Sequence, residues 1–361
     1  MTARQRLLDG WERGFGTGTD TLLTAVAGSY RGLLGAREWM YARGFLASRS
    51  LDIPVISIGN LTVGGTGKTP AVELAVRTLA DLGHRPGVVS RGYGRRGGGL
   101  QVVADAASIR LDAEEAGDEP FLLARRLPRV PVVVGANRYE AGRLARARFG
   151  VSAIVLDDGF QHRTVHKDLE IVMARAAAPW GNGRLLPGGP LREPLRGLRR
   201  AHLVVATGAH QAAEASDIAL ALARHAPGVP LVTAMHVATE CFEAGAMRFV
   251  PLSALDGARL LAFAGIASPA GFRRTLGESR VALTGFQEFR DHHWYSREDL
   301  ARLESQAASG GADGLVTTEK DWVRLRRLPP LRRPLYVLSV RLQLTSGEAA
   351  WRDAFARLRP R

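Results

Sequence analysis

The sequence predicts an α/β protein built on a parallel sheet with helices on both faces. Apolar runs typical of buried strands alternate with helical patterns from residue 51 to residue 235. In one place a run at residues 53–58 is followed by a glycine-rich segment and a helical pattern, and another run, residues 153–156, ends in two aspartates. A chain of 361 residues is longer than a single hydrophobic core usually accommodates, so we expect more than one domain. We therefore predict three parts, namely an N-terminal amphipathic helix in residues 1–50, a parallel-sheet domain in 51–235 and a smaller C-terminal α/β domain in 236–361.

The glycine-rich segment at residues 62–69 predicts a phosphate-binding loop, and with it a sheet of the P-loop NTPase type. Backbone N–H groups of such a loop and of the following helix face an anion. Lys68 is then expected to reach the β- and γ-phosphates, and the Thr69 hydroxyl to bind Mg²⁺. Thr62 stands where the motif has its first glycine, which it can replace if its φ is negative. An ordinary glycine-rich turn before a helix is the competing interpretation. The predicted nucleotide-binding residues are Thr62, Val63, Gly64, Gly65, Thr66, Gly67, Lys68 and Thr69.

The composition limits the compartment and the kind of partner. One cysteine, Cys241, excludes a disulfide framework and suits a reducing cytoplasm. The net charge of +14 favours polyanionic partners, namely nucleic acid, anionic membrane or phosphorylated substrates, unless it reflects a general drift toward arginine. Only three lysines occur, Lys68, Lys167 and Lys320, and one of them is in the predicted phosphate loop. The other two are therefore candidates for special roles.

The N-terminal segment contains an amphipathic helical pattern. Its longest uncharged stretch, residues 21–30, is shorter than the roughly 20 apolar residues that a membrane span requires. The helix either docks on the protein's own surface or lies in a membrane interface. The residues predicted to share its apolar face are Leu22, Leu23, Val26, Tyr30, Leu33, Leu34 and Met40.

Three aspartates are candidates for functional carboxylates at the carboxyl end of the predicted sheet. Asp118 precedes an apolar helical segment, so it is either a helix N-cap or a carboxylate presented at the carboxyl end of the sheet. Asp157 and Asp158 end the apolar run at residues 153–156, an arrangement that delivers a carboxylate to Mg²⁺ in P-loop proteins. The long Gly/Pro-rich loop at residues 183–194 is either a surface crossing or a phosphate clamp that uses Arg184 and Arg192.

The C-terminal part contains one histidine pair, His292 and His293. The surrounding spacing does not suggest a zinc site. The pair either packs in a loop or contributes proton chemistry.

These segments, in order, resemble the tetraacyldisaccharide 4′-kinases of lipid A biosynthesis. The resemblance includes Thr62 in place of the first glycine. It spans most of the chain, at residues 57–70, 90–93, 117–120, 157–163, 185–194, 265–266, 291–293 and 317–321.

The resemblance implies a kinase at the cytoplasmic face of the inner membrane, which associates with the membrane through the N-terminal helix of residues 1–50. We expect this kinase to be a monomer. It would use ATP and Mg²⁺ to phosphorylate the 4′-hydroxyl of an acylated glucosamine disaccharide 1-phosphate, giving lipid IVA, with no nucleic-acid partner. His292, from the second domain, would orient the base Asp118 and tie catalysis to domain closure. The implied catalytic residues are Asp118, His292, Lys68 and Asp158. The implied Mg²⁺ ligands are Thr69, Asp157, Asp158 and Gln161. The implied substrate contacts are Arg91, Tyr93, Asn137, Arg138, Glu119 and His162.

Three other functions are weaker predictions. A partitioning-type ATPase has a deviant phosphate loop with a lysine before the glycine pair, where this chain has Val63. A nucleic-acid-binding NTPase is suggested by charge alone. A nicotinamide enzyme would rest on a G-x-G-x-x-G match beginning at Gly92, which a Gly-rich run follows instead of a helix.

Overall fold

The structure, a computed structural model, describes residues 11, 17–246 and 248–359. These residues form two compact units. Unit 1 contains the described residues up to Arg91, Gly135–Met235 and the described residues from Leu344 onward. Unit 2 contains Gly92–Val134 and His236–Gln343. Each unit is therefore assembled from separate stretches of chain, and the three-part division at residues 50 and 235 stays a prediction.

Strands and helices alternate along the described chain. The strands are β1 (Val55–Gly59), β2 (Pro86–Ser90), β3 (Gln101–Ala104), β4 (Val132–Val134), β5 (Ala153–Asp157), β6 (Leu169–Arg175), β7 (Leu203–Thr207), β8 (Leu231–Glu243), β9 (Arg248–Val250), β10 (Arg259–Ala264), β11 (Ala282–Glu288), β12 (Gly314–Thr318) and β13 (Leu335–Ser346). The helices are α1 (Thr17–Ala42), α2 (Lys68–Asp81), α3 (Ala113–Ala116), α4 (Asp118–Arg126), α5 (Arg138–Phe149), α6 (Ser216–His225), α7 (Pro269–Glu278), α8 (Arg297–Ser309), α9 (Glu319–Leu325) and α10 (Glu348–Ala356).

The sheet of unit 1 is parallel, as predicted. Its strands lie in the order β8, β7, β6, β1, β5, β2, with β8 contributing its first residues, and each neighbouring pair runs parallel. Every residue of β1 and β5 is buried, as expected for strands covered on both faces. Because β1 and β5 are adjacent and parallel, the segments that follow them emerge at the same edge of the sheet.

The last helix, α10, belongs to unit 1 although it follows the long second stretch of unit 2. Its Trp351 and Phe355 are almost fully buried. The Trp351 indole donates a hydrogen bond of 2.9 Å to the Thr78 hydroxyl on α2. The C-terminal helix therefore supports the helix that follows the glycine-rich loop.

Helix α1 docks on unit 1 along one face and exposes apolar residues on another. Tyr30 and Leu34 pack against a core cluster of unit 1, and the Tyr30 hydroxyl donates to the Arg192 carbonyl at 2.8 Å. Leu22 and Leu33 are 65% and 71% exposed, respectively. The predicted residues lie on one side of this helix, but that side is divided, because Tyr30 and Leu34 face the core while Leu22 and Leu33 face solvent. Among the described residues, no helix is long and apolar enough to cross a membrane.

Unit 2 has its own sheet and core. Strands β11, β10, β12 and β13 lie side by side in parallel, whereas β3 pairs with β4, and β9 with β8, in antiparallel fashion. Leu260, Ala262, Phe272, Leu276 and Val316 are at the centre of its hydrophobic core. The α/β character predicted for the C-terminal part is therefore confirmed.

Candidate active site

The glycine-rich loop of unit 1 ends at the first turn of α2. Gly67 caps the helix in the left-handed conformation, with φ 80° and ψ 23°, and Gly64 has φ 116°. Residues with a Cβ rarely adopt these angles, so glycine is required at both positions. Thr62 is absent from the positive-φ residues of the described chain, which confirms the condition under which threonine fits there. The N-terminus of α2 is therefore open to an anion, as in phosphate-binding loops.

Asn60 holds this loop in shape, a role that the sequence analysis missed. Its buried side chain donates from Nδ2 to the Thr62 carbonyl at 2.7 Å, and its Oδ1 accepts from Lys68 Nζ at 3.2 Å. One amide thus ties the start of the loop to the lysine at its end. An asparagine two residues before Thr62, directly after a strand, was the available signal.

Two loop hydroxyls are buried and have no hydrogen-bond partner within the part of the chain that the structure describes. They are Thr66 Oγ1 and Thr69 Oγ1. A buried polar group without a partner is costly, so native proteins usually satisfy it with water, a ligand or an ion. Thr69 lies one residue into α2, where a hydroxyl binds Mg²⁺ in P-loop proteins. The residues present therefore fit the predicted ion.

Two cationic side chains contact Asp158 beside the glycine-rich loop. Lys68 Nζ is 3.5 Å from its Oδ1, and Arg192 Nη1 donates to Oδ1 and Oδ2 at 3.0 and 2.8 Å. Burial raises the pKa of this carboxyl, but Lys68 and Arg192 outweigh burial and hold the pKa below its usual range. Asp158 also has a left-handed backbone, with φ 53°, a conformation that non-glycine residues adopt mainly at special sites.

Asp157, the preceding residue, ends β5 and is nearly fully buried. The Ser90 hydroxyl at the end of β2 donates to its Oδ2 at 3.0 Å. The turn behind Asp157 lies close to β1, because a Cβ on Gly59 would approach the Phe160 Cβ to 2.6 Å. Glycine is therefore needed at the end of β1 for the two strand ends to meet.

Gln161 and the Gly/Pro-rich loop complete this edge of unit 1. Gln161 Nε2 donates to the Asn60 carbonyl at 2.9 Å and to Glu193 Oε1 at 2.8 Å. The loop runs along the glycine-rich segment, since Arg192 N donates to the Leu61 carbonyl at 2.8 Å. It is therefore a wall of this site, and Arg192 is the arginine that faces Asp158. Arg184 instead pairs with Asp20 on α1 at 2.5 Å.

Lys167 supports the turn that carries Asp158. Its buried Nζ donates to the carbonyls of Gly159 and Phe160 at 3.3 and 3.2 Å and pairs with Glu170. This rare lysine thus holds the backbone directly behind the two aspartates.

In unit 2, Asp118 is the first residue of α4, and Gly117 occupies the N-cap position. The N-cap interpretation was therefore wrong, although Asp118 Oδ1 accepts from the Glu119 N–H at 2.9 Å. Asp118 Oδ2 is 3.0 Å from His292 Nδ1 and accepts from Arg324 Nε and Nη2 at 2.9 and 2.5 Å. Burial raises the pKa of Asp118, but the hydrogen bond from His292 and the charge of Arg324 hold it well below its usual range.

His292 and Asp118 belong to the same unit. The expectation that His292 reaches Asp118 from a different domain was therefore wrong, because residues 92–134 are part of unit 2. Sequence order misled the prediction, since the stretch that bears Asp118 lies between two stretches of unit 1. Domain closure is accordingly not needed to form this pair.

The two histidines of the pair do different things. His292 contacts Asp118 and has a left-handed backbone, with φ 60°. His293 Nε2 is 2.9 Å from Asp299 Oδ2, in the capping box of α8, and its ring stacks on Phe289. His293 is thus a packed loop residue, while His292 faces a carboxylate.

The residues predicted to contact substrate are divided between the units. Glu119 Oε1 accepts from Lys320 Nζ at 2.7 Å within unit 2, where Tyr93 is 77% exposed. In unit 1, Arg138 donates to the carbonyls of Gly135 and Ala136.

The other three predicted contacts lie in unit 1. Asn137 caps α5 by accepting from the Glu140 N–H, and Arg91 is exposed. His162 Nε2 is 2.7 Å from the Thr164 hydroxyl, and burial together with nearby cations lowers the pKa of His162 to about 4. His162 is therefore neutral at physiological pH.

No group of three or more His, Cys, Asp or Glu side chains that could hold a metal ion occurs among the described residues. The predicted Mg²⁺ ligands are not such a group, because only two of the four, Asp157 and Asp158, are acidic and the other two are Thr69 and Gln161. In P-loop proteins the ion is held by one hydroxyl and one carboxylate, with phosphate and water oxygens in its remaining positions.

The fold of the protein is α/β. In unit 1 a glycine-rich loop connects a buried parallel strand to a helix, and charged side chains lie beside this loop. The family model for tetraacyldisaccharide-1-P 4′-kinase matches residues 19–358. The chain belongs to this family of tetraacyldisaccharide 4′-kinases.

Individual relatives agree with this assignment. The tetraacyldisaccharide 4′-kinase of Syntrophus aciditrophicus (strain SB) is 41% identical over 335 residues, covering 90% of this chain and 89% of that protein. The tetraacyldisaccharide 4′-kinase of Anaeromyxobacter sp. (strain Fw109-5) is 43% identical over 327 residues, covering 90% and 88%. A crystal structure of LpxK from Aquifex aeolicus in complex with ATP matches with a TM-score of 0.76 and 31% identity, covering 94% of this chain and 99% of that one.

Proposed function

We propose that this chain transfers the γ-phosphoryl group of ATP to the 4′-hydroxyl of a tetraacylated glucosamine disaccharide 1-phosphate. The product is the 4′-phosphorylated lipid A precursor, lipid IVA. Membership of the 4′-kinase family supports the reaction and its substrates. The observation that carries the proposal to this chain's residues is the edge of unit 1, where Lys68 pairs with Asp158 and the buried Thr69 hydroxyl has no hydrogen-bond partner among the described residues.

Unit 1 supplies the phosphate-binding groups. The N-terminus of α2 and the loop N–H groups bind the nucleotide phosphates, and Lys68 neutralises charge on them. Thr69, Asp157, Asp158 and Gln161 are the residues that would hold Mg²⁺. When bound there, Mg²⁺ would supply positive charge that offsets the negative charge of the phosphate groups during transfer. Lys68 and Arg192 both contact Asp158, and each cation can also attract phosphate oxygens that bind beside it.

Unit 2 supplies the base. Asp118 Oδ2 is occupied by Arg324 and His292, whereas Oδ1 accepts only the Glu119 N–H among the described contacts. A carboxylate oxygen has room for two hydrogen bonds. Oδ1 is therefore the atom that accepts the proton of the sugar hydroxyl. Its low basicity is compatible with phosphoryl transfer, in which catalysis comes mostly from positioning and electrostatics.

The exposed face of α1 supports binding to a lipid surface. Leu22 and Leu33 are exposed there, while Tyr30 and Leu34, on the adjacent part of the helix surface, pack against unit 1. An amphipathic helix of this kind lies in the plane of a membrane interface. We therefore propose peripheral attachment of a monomer to the cytoplasmic face of the inner membrane, where an acylated substrate resides.

Six further side chains are proposed to contact the disaccharide or its 1-phosphate. Exposed cationic and aromatic groups suit a phosphorylated sugar, and a buried arginine beside a helix N-terminus suits an anion. The proposed contacts are Arg91, Tyr93, Asn137, Arg138, Glu119 and His162.

The reaction is tested by supplying γ-labelled ATP, Mg²⁺ and tetraacyldisaccharide 1-phosphate in detergent micelles. Wild type is expected to label the 4′ position, and Asp118→Ala to lose about 10²–10⁴-fold in kcat, the usual contribution of a general base. Asp217→Ala, which removes an exposed aspartate on α6, is the matched control and should retain full activity. ATP hydrolysis without a labelled lipid would instead indicate the partitioning-type ATPase.

Membrane attachment is tested by flotation with vesicles of mixed zwitterionic and anionic phospholipids. Leu22→Ser with Leu33→Ser should weaken vesicle binding by tenfold or more, because burial of each leucine contributes about 1.5–3 kcal/mol. Leu220→Ser is the control, since Leu220 is 70% exposed on α6 rather than α1. Equal flotation of all variants would refute attachment through this face of α1.

A further inference from the structure

Arg324 on α9 is a buried cation whose guanidinium faces the proposed base. Its side chain is 0% exposed. Nε and Nη2 both donate to Asp118 Oδ2, at 2.9 and 2.5 Å, while Nη1 donates to the Gly265 carbonyl at 2.9 Å. Arg324 lies outside the motifs that predicted the site, and in the proposed reaction it is a neighbour of Asp118.

We propose that Arg324 is a positioning residue for the proposed phosphoryl transfer, holding Asp118 ionised and oriented with Oδ1 free to receive the hydroxyl proton. This inference rests on the proposed function. Arg324 acts through Asp118 and contacts no reacting atom itself.

The hydrogen-bond pattern on Asp118 supports this role. Three donors converge on Oδ2, two from Arg324 and one from His292, which exceeds the two lone pairs of that oxygen. Oδ1 accepts only the Glu119 N–H among the described contacts, and this bond anchors the carboxylate to the start of α4. Rotation of the carboxyl group would break bonds to a buried charge, so the two oxygens keep distinct roles.

Arg324 is itself held from the opposite side. Asp321 Oδ1 is 3.6 Å from Nη1, and Asp321 is fully buried. Asp321 in turn accepts hydrogen bonds from the Gly265 N–H and the Tyr295 hydroxyl, both at 2.9 Å. The guanidinium is thus fixed between two carboxylates, and only one of them has an oxygen left for substrate. A lysine provides a point charge without the planar fork, so it cannot reproduce this geometry.

The same arrangement assigns the proton of His292. Nδ1 of His292 is 3.0 Å from Asp118 Oδ2 and 3.2 Å from Arg324 Nη2. Guanidinium only donates and an ionised carboxylate only accepts, so Nδ1 must carry a proton to bond Asp118. In the tautomer that bonds Asp118, His292 therefore carries a proton on Nδ1, and Arg324 Nη2 then donates to Asp118 and not to His292.

Other charged groups surround this cluster within unit 2. Lys320 on α9 pairs with Glu119 and adds positive charge near Asp118. Asp291 Oδ1 is 3.9 Å from His292 Nε2, and Asp321 lies behind Arg324. Of the cations, Arg324 is the one with two hydrogen bonds to Asp118, so its removal should alter the titration of Asp118 most.

The first experiment compares wild type, Arg324→Gln and Arg324→Lys as full-length protein in detergent, by kcat/KM against pH. Arg324→Gln should lower kcat with little change in the KM for ATP. Its acidic limb should move up by about 1–3 pH units, the effect of losing an adjacent opposite charge. Arg324→Lys should restore the position of the acidic limb, because it keeps the charge, but not kcat, because it lacks the fork. Arg302→Gln, on the exposed surface of unit 2, is the control and should match wild type in all respects.

The second experiment does not depend on turnover. Carboxyl ¹³C resonances of labelled aspartate, with Asp118 assigned by Asp118→Asn, should show Asp118 titrating at clearly higher pH in Arg324→Gln than in wild type. If wild type fails to phosphorylate lipid, the proposed function fails while this titration still decides the role of Arg324. If Arg324→Gln does not fold by circular dichroism, Arg324→Lys decides: wild-type kcat in that variant would overturn the proposal. An unchanged pH profile together with an unchanged Asp118 titration in folded Arg324→Gln would overturn it equally.

Discussion

Each unit presents a carboxylate that positive partners keep ionised against the effect of burial, yet the two clusters differ in their access to solvent. In unit 1, Asp158 is 33% exposed and its partner Arg192 is 25% exposed. In unit 2, Asp118 is 11% exposed and Arg324 is 0% exposed. The open cluster can exchange protein contacts for ligand contacts, whereas the closed cluster cannot do so without leaving a charge buried and unpaired.

The difference in solvent exposure indicates what the Asp158 cluster and the Asp118 cluster are each suited to do. Arg192 and Asp158 remain partly accessible, which suits groups that bind phosphate as it arrives, whereas Lys68 beside them is only 10% exposed. Arg324 has no access to solvent, so its contribution is to fix another side chain. Both clusters include a residue with a left-handed backbone, Asp158 and His292, which is a common feature of functional sites.

The largest effect is expected from Lys68→Ala, because Lys68 is the cation at the end of the glycine-rich loop, in the first turn of α2. Losing one preorganised donor to a phosphoryl group should lower kcat by at least about 10²–10³-fold. Thermal unfolding should change little, because Asp158 keeps Arg192 as a partner. The measurements are phosphate transfer and the unfolding midpoint of the same preparation.

Lys68→Arg serves as the matched variant, since it keeps the charge but changes the shape of the donor. It is expected to recover only part of the activity. Near-normal turnover of Lys68→Ala would remove the loop from the mechanism. A large fall in stability would show that the cluster of unit 1 is as closed as that of unit 2.

A smaller effect is expected in the acid dependence of stability. The folded-state pKa values of Asp118 and Asp158 both lie below the ordinary value, so each carboxylate stabilises the fold above pH 4 and this contribution is lost as pH falls further. Asp118→Asn should therefore be clearly less stable than wild type at pH 7, by about 3–5 kcal/mol for breaking a buried pair. The gap should narrow between pH 4 and pH 2.

Asp158→Asn provides the contrast in the same measurement of unfolding midpoint against pH. Its deficit at pH 7 should be smaller, because solvent reaches both Asp158 and Arg192 and screens the pair. Equal deficits in the two variants would contradict the distinction between an open and a closed cluster.

The sequence predicted those parts of the site that lie in short contiguous motifs. Lys68, Thr69 and Asp158 were recognised because a loop motif and a strand end define them locally. Arg324 was not predicted from the sequence, because its partner Asp118 is 206 positions away. Its signal was a charged residue inside the apolar run of Trp322, Val323 and Leu325, where a charge requires a buried partner.

The fold was predictable to a similar degree. Strand β1 and helix α2 were expected, since their apolar pattern and glycine loop are local features. Strands β6 and β11 were not predicted. The position of β6 depends on pairing with β1, far earlier in the chain, whereas β11 is an edge strand paired with β10 alone among the described strands. The membership of residues 92–134 in unit 2 has the same origin, since a sequence read in order does not show which stretch rejoins which core.

The position of α10 has a consequence for how the protein is made. Translation produces all of unit 2 before the helix bearing Trp351 and Phe355, which unit 1 buries. Unit 1 therefore waits on the ribosome without part of its core, and its helix α2 lacks the Trp351 contact during that time. Nascent chains that stall after residue 343 would present an unfinished phosphate-binding unit to chaperones and proteases, next to a unit 2 whose sequence is already complete.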